Sequence, residues 1–248
     1  MAAPVLITIP ISHFCEKARW ALDRACVPYE EHRHVQVIHR FHAKRAGGGK
    51  TVPVLVTENG EALGESEQIL DWADRRAPAG RRLYPDDAAE IRAFERGLDE
   101  GLGPDGRLWM YFSLRGHRAV ATRYALTGVP AWERRAFPVF YRPMSRVIDM
   151  VLGVSPEAAT EAERAVHATF DAVADRLADG RPYLMGERFT AADLTFSALA
   201  ASVLMPPEYG VPLPQPDELP AGMASAVRDL RAHPAGEHAM RMFREERR

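Results

Sequence analysis

A proline just inside a β-branched run is the feature that most restricts what this chain can become. Thr51-Val52-Pro53-Val54-Leu55 reads as the entrance to a strand, yet proline donates no ladder hydrogen bond and is kept out of sheet centres. The run makes sense if the Val52–Pro53 bond is cis, leaving the N–H and C=O of Val52 to pair with something other than the sheet. Glu65-Ser66 follows shortly after and opens a helix, supplying a carboxylate, a hydroxyl and unpaired N–H groups. An extended, peptide-like ligand with a charged end fits that pair of features.

The flanking pattern places both features in an α/β unit. Val5–Ile9 reads as a short buried strand, and Phe14, Ala18, Leu22 and Ala25 recur at helical spacing through Cys26. Tyr29–Val37 alternates weakly, as a second, partly exposed strand would. Gly47-Gly48-Gly49 is a flexible hinge without phosphate-loop spacing. Pro53–Val56 and Ala62-Leu63 form a hairpin about Asn59-Gly60, and Ser66–Arg76 is helical. Past Pro85 the pattern is helical only. Ala88–Phe112 breaks near Gly101 and Pro104, Trp132–Leu152 is interrupted by Pro138 and Pro143, and Ser113–Gly153 as a whole is irregular. Ser155-Pro156 and Thr190-Ala191-Ala192-Asp193 are helix starts. Two domains are expected, 1–80 and 86–248.

The 248 residues suffice for a sizeable core. With 32 Lys+Arg against 34 Asp+Glu, there is no electrostatic case for nucleic acid. The most apolar stretch, Phe196–Met205, is too short to span a bilayer, and no leader is expected. Cys15 and Cys26 fall on one helix about 16 Å apart at the α-helical rise, too far to bridge. Reduced thiols then suggest the cytoplasm.

At this point the chain resembles the glutathione S-transferase superfamily over nearly its full length. Ser12-His13-Phe14-Cys15, Val52-Pro53, Glu65-Ser66 and Phe189-Thr190-Ala191-Ala192-Asp193 occur in order and at the family's spacing. The resemblance implies a thioredoxin-like βαβ-ββα domain that holds glutathione, followed by an all-helical domain shaping a pocket for a small hydrophobic electrophile, and a homodimer. It implies that Val52 pairs its backbone with the cysteinyl part of glutathione, with Pro53 as the cis residue. Glu65 and Ser66 would hold the γ-glutamyl group, Lys50 the glycyl carboxylate, and Phe14 would join the glutathione-binding set.

Ser12 would place its hydroxyl beside the glutathione sulfur. A thiol is mostly protonated at pH 7, and one hydrogen bond plus the positive end of the first helix would lower its pKa by about one to two units. Cys15 is the rival, through thiol–disulfide exchange, and a fold that binds without turnover is a third reading. Trp109, Tyr111 and Phe112, with Arg107, read as the wall of the second pocket or as helical core. His32 and His34 share a strand face, while His39 and His42 lie in a loop with no carboxylate to complete a tetrahedral set, so no metal is expected. Arg115–Arg123 reads as a solvated basic face.

Overall fold

The computed structural model describes residues 2–247. Its sheet has the order β2-β1-β3-β4, from β1 (Val5–Thr8), β2 (Glu30–Arg33), β3 (Val54–Val56) and β4 (Ala62–Leu63). β1 runs parallel to β2 across the crossover helix α1 (His13–Arg24). β3 runs antiparallel to both β1 and β4, pairing Leu6 with Leu55 and Ile7 with Val54. The two-residue alternation of strands explains the layering. Leu6 and Leu55 join α1 and α3 (Ser66–Asp74) in the main core. Ile7 and Val54 point the other way and bury Ala43 of α2 (His39–Arg45).

The helix α2 replaces the loop expected for His39 and His42, and the second strand stops at Arg33 rather than Val37. Only Ala43 of α2 is buried, so the segment carries almost no apolar periodicity from which to read a helix. The expectation of a thioredoxin-like unit followed by helices holds.

Helices alone follow: α4 (Ala89–Glu100), α5 (Leu102–Ser113), α6 (Arg118–Ala125), α7 (Ala131–Leu152), α8 (Pro156–Leu177), α9 (Ala191–Leu204), α10 (Ala221–Ala232) and α11 (Pro234–Glu246). Gly101 separates α4 from α5, as expected. The segment expected to be irregular is instead the α6–α7 pair, and α7 runs unbroken through Pro138 and Pro143. Each of these prolines forgoes one backbone donor, and the 22-residue helix continues through both. Every residue of α9 is buried. Asp193 starts it, its carboxylate accepting from the Thr190 N–H at 3.0 Å and the Leu184 N–H at 2.8 Å. One core runs through Leu6, Trp20 and Leu70 of the sheet unit into Leu98 and Phe196 of the helical unit.

Candidate functional site

Ser12 stands at the turn from β1 into α1. Its hydroxyl oxygen accepts from the Cys15 N–H at 3.4 Å, capping the helix. A hydroxyl that accepts there keeps its own proton to donate, and it sits at the end of α1 where the helix dipole is positive. Cys15 has a different fate. It is fully buried on the inner face of α1, and burial pushes its thiol pKa up. A raised pKa makes a thiol a poor nucleophile.

The Val52–Pro53 bond is cis. The β1–β3 ladder begins at Val54 opposite Ile7, and among the described residues the backbone N–H and C=O of Val52 have no hydrogen-bond partner. Across from it, Ser66 is the first residue of α3. The Gln68 side-chain oxygen accepts from the N–H groups of Gly64 (3.2 Å) and Glu65 (3.3 Å). The Ser66 amide one position later is left among the open donors of the helix end.

These features share one cavity of about 660 Å³. Ser12, Phe14, Lys50, Val52, Pro53, Glu65 and Ser66 all line it. So do Gln36, His39 and Arg40, which the sequence reading missed because they lie in and beside the unforeseen α2. Burial, helped by Arg40, holds the His39 pKa down to about 4. The opposite wall comes from Asp99 on α4, Arg107, Met110 and Tyr111 on α5, and Val147, Ile148 and Val151 near the end of α7. A smaller apolar cavity of about 260 Å³ continues beneath α6–α7, sharing Ile11, Gln36, Met110, Tyr111 and Ile148 with the first.

Of the aromatic residues expected at the second pocket, only Tyr111 is there. Pro104, Arg107 and Tyr111 share one face of α5 by the 3.6-residue period, and Trp109 points the other way into the core. Phe112 lies outside both cavity linings, beside the Arg115 guanidinium at 5.8 Å. His13, buried next to Ser12, turns Nε2 to the Gly103 carbonyl at 3.0 Å. Burial, and then the nearby Arg107, holds its pKa down to about 3, so it is a neutral imidazole near pH 7.

The histidine cluster needs a correction: a carboxylate does join it, from α7. Glu133 is fully buried, and its two oxygens accept from His34 Nδ1 at 2.6 Å and the Val35 N–H at 2.8 Å. His42 stacks on His34 with ring centres 3.6 Å apart and planes 11° from parallel. Ligand atoms of the three residues lie within 4.8 Å of one another. Both Glu133 oxygens are engaged, one by the His34 ring and one by the Val35 N–H. The trio ties the segment just after β2, and α2, to α7, the helix that roofs the cavity.

Comparison with known proteins bears on the family. Residues 6–82 match the family model described as the glutathione S-transferase N-terminal domain, and residues 156–224 match that of the C-terminal domain. No curated protein matches the chain by sequence. Among solved structures, a glutathione transferase homolog from Sulfitobacter with bound glutathione is 18% identical, with 99% of this chain and 94% of that one covered at a TM-score of 0.59. Glutathione transferase GSTFuA2 from Phanerochaete chrysosporium is 16% identical, covering 100% and 99% at 0.65. The beta-etherase LigF from Sphingobium sp. strain SYK-6 is 18% identical, covering 97% and 99% at 0.59. At such identities the likeness establishes a shared fold. With both family models matched in order across more than half of the chain, and every expected glutathione-binding residue gathered in one cavity, the chain belongs to the glutathione S-transferase superfamily.

Proposed function

We propose that this protein is a glutathione transferase that activates the glutathione thiol through Ser12 and adds the thiolate to a small hydrophobic electrophile. The observation that carries the reading is the meeting of Ser12, the unpaired backbone of Val52 and the N-terminal end of α3 at Ser66 in one cavity. The tripeptide would lie extended along Val52, its γ-glutamyl carboxylate at the Ser66 amide and hydroxyl, its ammonium toward Glu65, and its glycyl carboxylate toward Lys50. That arrangement brings the sulfur to the Ser12 hydroxyl, where donation to the thiolate, but not to the thiol, lowers the pKa. No further base is needed: the proton passes to water and the thiolate attacks.

The apolar wall of Met110, Ile148 and Val151 suits a hydrophobic partner. Since the fold is shared by transferases and a beta-etherase, the fold alone does not set the second substrate. Disulfide exchange through Cys15 is disfavoured by its burial and raised pKa. We further propose a cytoplasmic homodimer. The exposed apolar side chains of Val139, Phe140 and Met150 on α7 supply surface for a contact between copies.

The test is direct. Millimolar glutathione should raise the melting temperature, as a ligand of the folded state must, and 1-chloro-2,4-dinitrobenzene should be conjugated. No thermal shift together with no conjugation overturns the reading.

A further inference from the structure

Arg107 stands apart from the other cations removed from water in this fold. Lys17 meets Glu95 at 2.7 Å and Asp99 at 2.7 Å. Arg19 meets Glu16 at 3.2 Å and Glu31 at 2.7 Å, and Arg247 meets Glu16 at 2.6 Å and Asp23 at 2.8 Å. Among the described residues Arg107 has no carboxylate partner, and its buried Nε has no hydrogen-bond partner. A guanidinium cannot escape such a position by losing its proton. Burial pulls its pKa down, the direction expected for a cation drawn out of water without a counter-charge.

Its surroundings complete a binding site. Arg107 lines the cavity on the α5 face that also carries Tyr111, about 6.0 Å from the centre of the Phe14 ring. The Tyr111 hydroxyl faces the Gln36 amide nitrogen at 3.4 Å, and accepting from it leaves the phenol proton free to donate. Met110 and Ile148 supply the apolar remainder. We propose that Arg107, seconded by Tyr111, anchors an anionic group on the second substrate, so that the preferred electrophile is a flat apolar molecule bearing a carboxylate or a comparable oxyanion. The inference rests on the transferase reading, in which both glutathione carboxylates have other donors, at Ser66 and Lys50. A forked guanidinium with free N–H groups matches a carboxylate in two parallel hydrogen bonds, and an apolar wall strengthens them by excluding water.

The experiment pairs an unreactive anion with its neutral isostere. Calorimetry measures 3,5-dinitrobenzoate and 3,5-dinitrobenzamide on the full chain, with and without saturating glutathione. The wild type should bind the benzoate about tenfold or more tightly than the benzamide, the range expected for a hydrogen bond to a charged group. Arg107→Leu should collapse that ratio to about one, and Arg107→Lys should restore part of it, with melting curves confirming that both variants fold. Under turnover, 4-chloro-3,5-dinitrobenzoate and its amide should reproduce the ratio in kcat/KM. Equal binding of the two probes by the wild type, or a ratio that survives Arg107→Leu, overturns the proposal. So does a rise in the glutathione Kd of Arg107→Leu with the probe ratio intact, which would assign the arginine to the tripeptide. If glutathione fails to bind while the benzoate preference persists and needs Arg107, the anion site stands and the transferase reading falls.

Discussion

Lys17 and Arg107 are both cations withdrawn from solvent near the same cavity, and only one has its counter-charge inside the protein. Lys17 is fully buried on α1 and reaches across to Glu95 and Asp99 on α4, with the Tyr84 hydroxyl donating to the far oxygen of Glu95 at 2.6 Å. Its charge joins the sheet unit to the helical unit. Arg107, one helix further on, faces open volume. The contrast separates a charge that holds walls together from a charge held ready by those walls. The first is spent on stability, and the second is available to a ligand.

The largest effect should come from breaking the paired side. Lys17→Met strands the buried carboxylate of Glu95 beside the partly exposed one of Asp99, and the loss should be about 3–5 kcal/mol, read as a lower urea midpoint. A loss below about 1 kcal/mol would mean that the attraction scarcely exceeds the desolvation that Lys17 requires. Next is pH. The His13 pKa is about 3 in the folded chain against 6.5 in the unfolded one, so the unfolded state binds the extra proton as pH falls through that window. His13 therefore contributes stability that is complete above about pH 6.5 and declines below it by about 1.4 kcal/mol per pH unit. Urea midpoints at pH 7 and pH 5 should show the decline, His13→Gln should remove the His13 share and leave that of His39, whose pKa is also held down, to about 4, and Arg107→Leu should lessen the His13 share by removing one of its causes.

Ser12→Ala comes third and separates the proposed role of the serine hydroxyl from that of Arg107. The apparent pKa of the bound thiol in a pH–rate profile should rise by about one to two units. If Arg107→Leu raises that pKa instead and Ser12→Ala does not, the arginine rather than the serine faces the sulfur. The smallest effect should be on the resting stability of Arg107→Leu. Removing an unpaired, half-buried charge should leave stability within about 1 kcal/mol of the parent or raise it. A loss well beyond that in the melting curve would show that the arginine is paired in solution.

Much of the proposed glutathione end, and of the helix start that supports the fold, was legible in the sequence because it is local chemistry. Val52-Pro53, Glu65-Ser66 and the Thr190–Asp193 helix start each declare a backbone need within a few residues. The far wall was not legible, because it depends on rotation and distance. Arg107, Trp109, Tyr111 and Phe112 share one helix, and aromatic content alone does not say which side of it faces a cavity. Pro104, Arg107 and Tyr111 at helical spacing would have picked the face. Ser12 and Cys15 differ likewise: three residues apart, one at a helix end beside the cavity and the other sealed on the inner face. Glu133 reaches the histidines from about a hundred residues away, beyond any local pattern.

The ceiling of the cavity comes from the last two turns of α7, a stretch of chain that supplies nothing to the proposed tripeptide grip. On the proposed reading, Val147, Ile148 and Val151 could therefore be exchanged for bulkier or smaller side chains to reshape the compartment beside them while the end proposed to activate the thiol keeps its form. Selectivity under the proposed function would thus be a separable module, open to recombination or directed evolution one helical segment at a time.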